Sequence, residues 1–173
     1  MRAGVRIWAV AAVSLGVAGC AAVEREAVPG QPSLYVSMAQ PDAKLDAATA
    51  ASMISGYRQN NGLSPVTVDP TLMRAAEEQS QAMARIDKLD HNAAKSFAQR
   101  IRQSGFDARG AVENVSAGYH TLAEAFSGWR DSPPHRANML SRDVTRIGIA
   151  AVYAPRTKYK VFWTLILAAP DRS

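Results

Sequence analysis

The sequence predicts an α+β domain, a three-layer α/β/α sandwich around a small antiparallel sheet. Three observations carry that prediction. Apolar residues recur at three- and four-residue spacing between Leu45 and Trp129, as amphipathic helices require. Two β-rich runs, Arg146–Tyr153 and Lys160–Leu167, follow them. The second run is apolar for most of its length, which fits a central strand covered on both faces. No internal repeat divides the chain.

The elements follow in order. Leu45–Asn60 carries Ala48, Met53, Ile54 and Tyr57 at helical spacing, with Asp46 near its start, and Asn61-Gly62 ends it. Val66–Asp69 is a short extended piece. Asp69 caps a second helix and Pro70 takes its first position, where the missing N–H costs nothing. Its stripe is Leu72, Ala75, Ala76, Gln79, Met83 and Ile86. His91 lies in the loop Leu89–Asn92. A third helix spans Ser96–Gln103 and Gly105 closes it. Phe106–Gly110 reads as a loop, Ala111–Val115 as extended, and Ser116–Tyr119 as a turn. Thr121 caps Leu122–Trp129. The prolines of Asp131-Ser132-Pro133-Pro134-His135 stop that helix and start a short one. Ser132 is its expected cap, His135 falls in its first turn, and it ends near Leu140. Ala154–Tyr159 is a hairpin loop.

Met1–Cys20 reads as an export signal: Arg2 and Arg6 precede the apolar run Ile7–Val17, and small residues follow. Val17-Ala18-Gly19-Cys20 resembles a bacterial lipoprotein signal, which makes Cys20 the expected lipidated N-terminus and a membrane its partner. Cys20 is the only cysteine, so a monomer forms no disulfide. Ala21–Lys44, with Pro29, Gly30, Pro32 and Pro41, reads as a linker with an ordered patch at Leu34–Val36. The domain proper is expected over 45–170. The formal net charge is +5; without Arg2 and Arg6, eighteen cations face fifteen carboxylates. The Lys and Arg residues are scattered along the chain, which argues against nucleic acid as a partner. The expected state is a monomer.

The polar residues narrow the chemistry. His91, His120 and His135 are the histidines, and Glu113 lies inside an apolar segment. A carboxylate there must be paired, ligated or hydrogen-bonded. His91, His135 and Glu113 make a divalent-metal set, zinc first, with a position left for water. The plainer reading makes His91 a loop residue, packs His135 locally and pairs Glu113 with an arginine. Spacing does not choose between them. Arg100 and Arg136 are read as partners of Glu113 or of a helix end, and Asn114 as an amide tying two loops together. Trp129, Phe162 and Trp163 are core, His120 a surface or cleft-rim residue. The Ser132 hydroxyl is better used on backbone donors than as a nucleophile.

From His91 to Leu167 the chain resembles the CAP superfamily, or SCP domain, which includes cysteine-rich secretory, venom antigen and plant pathogenesis-related proteins. The matching residues are His91, Gln99-Arg100-Ile101, Gly105-Phe106, Glu113–Tyr119, Trp129–Leu140, Ile147-Gly148-Ile149 and Phe162-Trp163-Thr164. The resemblance implies an α/β/α sandwich with a cleft holding two histidines, here His91 and His135, and a first acid, Glu113. Many eukaryotic relatives carry a second glutamate where this chain has Ser132. The implied cleft is therefore His91, Glu113, Asn114, Ser132 and His135. Two functions follow. One is a lipid-anchored envelope module that binds a lipid, wall or protein ligand. The other is a zinc-dependent hydrolase with His91 and His135 on the metal and Glu113 as ligand or general base.

Overall fold

The structure, a computed structural model, describes residues 30–171. The expected signal, Cys20 and the first part of the expected linker lie outside the described residues. Residues 31–171 lie in one compact unit.

Local chemistry sets the helices. Asp46 caps α1 (Ala47–Gln59) by accepting the Thr49 N–H. Asp69 accepts from Thr71 and Leu72 ahead of α2 (Pro70–Ile86). Ser96 and Gln99 form a reciprocal capping box on α3 (Phe97–Ser104), and Gly105 ends it at φ 84°, where a side chain is strained. Thr121 and Glu124 form another on α4 (Leu122–Asp131). α5 (Pro133–Met139) follows at once. No helix among the described residues is long and apolar enough to cross a membrane.

The sheet runs β1 (Thr67–Val68), β3 (Arg146–Ala154), β4 (Lys160–Pro170) and β2 (Ala108–Ala117), in that spatial order. β4 pairs antiparallel with both neighbours. β1 runs parallel to β3, so the sheet is mixed rather than wholly antiparallel as expected. β2 begins at Ala108, within the expected loop, across a register irregularity between Ala108 and Gly110. It also continues through Ser116 and Ala117, and the turn falls on Gly118 at φ 90°.

Alternation along β4 builds the three layers. Val161, Trp163, Leu165 and Leu167 pack with Ile54 of α1, Leu122 and Trp129 of α4 and Met139 of α5. Phe162, Ile166 and Ala168 face the other way, towards Leu72, Ala76 and Met83 of α2 and Ile101 of α3. α2 lies so close to the sheet that a Cβ on Gly148 would collide with the Leu72 backbone. Residues 31–44, expected as a linker, are part of this packing. A 3₁₀ turn spans Ser33–Tyr35, Met38 is 3% exposed, and its N–H donates to the His120 carbonyl at 2.6 Å.

Candidate functional site

β2 is an outer strand, and its alternation sends neighbouring residues to opposite faces. Glu113, opposite Ile166, points towards the α2/α3 layer; Asn114, opposite Leu165, points towards α4 and α5. The His91 loop approaches from the first side and α5 from the second.

Glu113 is buried and paired. Its Oε1 accepts from Arg100 Nη2 at 2.9 Å and lies 2.8 Å from His91 Nδ1. Its Oε2 stands 2.7 Å from Arg100 Nη1, an ion pair outside hydrogen-bond angles. The side chains of Arg100 and Glu113 are 0% and 2% exposed, while that of His91 is 52% exposed. Arg100 also donates to the carbonyls of His91 and Lys95, so one guanidinium holds both the carboxylate and the histidine loop. Gln79 of α2 donates to the Asp90 carbonyl at 2.6 Å and pins the same loop.

On the other face Asn138 Nδ2 donates to the Glu113 carbonyl and to Asn114 Oδ1. Asn114 Nδ2 in turn donates to the His135 carbonyl at 3.0 Å. These bonds close part of the open edge of β2 and seat α5 against it. His135 is half-buried. Burial first, and then the charge of nearby His91, holds its imidazole below the ordinary histidine value.

The Cysteine-rich secretory protein (CAP) family model matches residues 51–167. This chain belongs to the CAP family. It is 33% identical over 102 residues to the uncharacterized protein YkwD of Bacillus subtilis. The match takes in 58% of this chain and 40% of YkwD, so the chain spans about two-fifths of that relative. An extracellular SCP-domain protein from Bacillus anthracis superposes with TM-score 0.62 at 20% identity, over 70% of this chain and 39% of that one. An outer surface protein from Borrelia burgdorferi superposes with TM-score 0.67 at 21% identity, over 75% and 96%. These likenesses show a shared fold.

Within this CAP domain the structure joins His91 to Glu113 directly, and the charge of His91 helps hold the His135 imidazole below its ordinary value. Among the described residues no group of three or more His, Cys, Asp or Glu is arranged to hold an ion. Asn114, read from the sequence as tying two loops together, bonds α5 to β2. Ser132 stands between α4 and α5; its carbonyl accepts from Arg136, but its hydroxyl makes no capping bond. Asp131 pairs with Arg130 at the surface. His120 is exposed on a hollow of about 540 Å³ with Tyr119, Glu124 and Asp131, whose lining includes neither His91 nor His135. Sequence reasoning missed Gln79 and Asn138. Both left a signal: an amide inside an apolar stripe needs a buried partner, and Asn138 shares a helix face with His135.

Proposed function

We propose that this CAP domain is an exported, lipid-anchored binding module of the cell envelope whose ligand contacts His91 and His135 across the β2 edge. One observation favours binding over hydrolysis: both oxygens of Glu113 are engaged by Arg100 and His91, so no free carboxylate is left to act as a base. The extracellular and outer-surface relatives support export. The ligand is a component met outside the cytoplasm: a lipid, wall polymer or envelope protein.

The donor set also suits a divalent cation such as zinc, held by two imidazoles. Glu113 behind His91 Nδ1 matches the carboxylate–histidine pairing that orients metal ligands from outside the coordination sphere. His135 is held towards its neutral, ligating form. In this reading His91 and His135 would hold the ion, and Glu113 and Arg100 would position His91.

Zinc in modest excess should then raise the melting temperature of the domain, as a ligand of the native state must. His91→Ala with His135→Ala should abolish the response; an unchanged response in that variant sinks the two-histidine site. A screen on peptide and wall substrates separates the functions. Turnover abolished by chelator would overturn the binding module in favour of the hydrolase.

A further inference from the structure

Basic side chains dispersed along the sequence gather at one corner of the domain. α2 ends there, and the β3–β4 hairpin folds beside it. The contact is direct: both Asp87 carboxylate oxygens accept the Lys158 N–H, at 2.9 and 3.1 Å. A hollow of about 440 Å³ lies between the two elements, bordered by Arg85, Asp87, Pro155 and Arg156. Arg85, Lys88, Arg156, Lys158 and Lys160 are all exposed. The facing carboxylates are Asp87 and Asp90, the latter 3.2 Å from Lys88. Five cations against two carboxylates leave +3. Residues 30–171 together hold sixteen Lys and Arg against thirteen Asp and Glu, also +3. The rest of the domain is balanced, and this corner carries the field.

The same corner exposes aliphatic side chains. Ile86 is 51% and Leu89 44% exposed, and basic Arg85 and Lys88 flank them in sequence. Helix-end electrostatics explains Arg85 and Lys88, since cations suit a helix C-terminus. It does not explain Arg156 and Lys158 on another element, nor aliphatic tips held in water. Phosphate headgroups attract the cations of such a face while its aliphatic tips enter the headgroup boundary. A nucleic acid would use the charge and leave the aliphatics idle.

We propose that this corner docks on an anionic phospholipid surface, with Ile86 and Leu89 in the headgroup layer and Arg85, Lys88, Arg156 and Lys158 on its phosphates. The proposal is independent of the His91–His135 site and of a lipid on Cys20.

Vesicle co-sedimentation tests it on the chain from Ala21, which contains the whole compact unit and lacks the acylated cysteine once Cys20 is omitted. The chain should bind vesicles of phosphatidylcholine mixed with phosphatidylglycerol, release from them as salt rises, and ignore pure phosphatidylcholine. Arg156→Gln with Lys158→Gln should lower partitioning about twenty-five-fold, at about fivefold per charge. Ile86→Ser with Leu89→Ser should lower it about tenfold while leaving retention on heparin unchanged. No binding to the mixed vesicles, equal binding to neutral ones, or full binding by the glutamine pair overturns the proposal. Full vesicle binding by the serine pair makes the corner a general polyanion surface and overturns it too. The zinc response of these variants reports separately on the histidine site, so the two readings fail independently.

Discussion

A carboxylate buried against an edge strand needs its charge answered, and Arg100 answers that of Glu113. Arg100→Met would leave the anion buried with only His91 beside it. That change should cost about 3–5 kcal/mol in urea unfolding. Adding Glu113→Gln removes the orphaned charge and should recover a large part of the loss; equal midpoints for the single and double variants would show that the two side chains are uncoupled. His135 makes a second prediction at this scale. Its folded pKa lies below the unfolded one, so between the two values the unfolded chain holds more protons and acid favours unfolding. The contribution is full above about pH 6.5 and is lost as pH falls through the folded value. Melting of the metal-free protein should therefore drop as pH falls below about 6.5. His135→Asn should flatten that drop; an identical pH profile in the variant would refute the assignment. Asp46, Asp90 and Asp131 are also held below the ordinary carboxylate value, through hydrogen bonds to Thr49, Asn92 and Arg130 in turn. They act only below about pH 4, beneath the onset of this drop.

At the scale of elements, α5 is a two-turn helix, too short to persist alone, and its neighbours hold it at both ends. Asn114 and Asn138 fasten it to β2. Arg58 of α1 fastens its C-terminal end and the loop into β3. It is 0% exposed and donates to the carbonyls of Ser64, Met139, Ser141 and Val144 at 2.8–3.0 Å. Among the described residues no carboxylate takes part; the acceptors are backbone carbonyls, and at the end of α5 a cation is also favoured by the helix dipole. Burial pulls the guanidinium below its ordinary value. Arg58→Met should cost about 3 kcal/mol or more, because it orphans several buried carbonyls at once. Native-state hydrogen exchange should show residues 139–144 opening well before the β4 amides. Uniform acceleration across the sheet and this loop would mean that Arg58 supports the whole core instead of one junction.

Across the whole molecule, legibility followed the range of the interactions that decide each part. Helices α1 to α4 were readable because Asp46, Asp69, Ser96 and Thr121 announce their starts within a few residues. β4 was readable because a strand buried on two faces is apolar along its length, and β3 because its run is rich in strand-forming residues. The parallel pairing of two-residue β1 was not, since only its partner β3 decides it. Nor was the start of β2, where Arg109 and Gly110 carry no strand pattern, yet Gly110 pairs with Ala169 of β4 and Arg109 falls in the register irregularity. His91, Glu113 and His135 were visible as residue types and through resemblance, and Arg100 as a partner of Glu113 or of a helix end, but the bond by which Arg100 also holds the His91 carbonyl depends on a tertiary fit that spacing does not encode. Residues 31–44 are the sharpest case. Proline and small polar residues suggest a linker, and nothing periodic contradicts it. Yet Met38 is buried in the same cluster as Trp129 and Trp163, Leu34 and Val36 pack against it, and the Ser33 hydroxyl donates to Asp46 at 3.0 Å. A linker can be cut without penalty; a layer of the core cannot. Met38→Ala should cost about 2–4 kcal/mol, the loss expected when a buried methionine leaves a cavity. A chain starting at Leu45 should melt markedly lower than one starting at Gln31, with Trp129 and Trp163 fluorescence reporting looser packing around the indoles. If the two chains melt together, the segment contributes nothing to the fold, and the linker reading of its composition is the correct one after all.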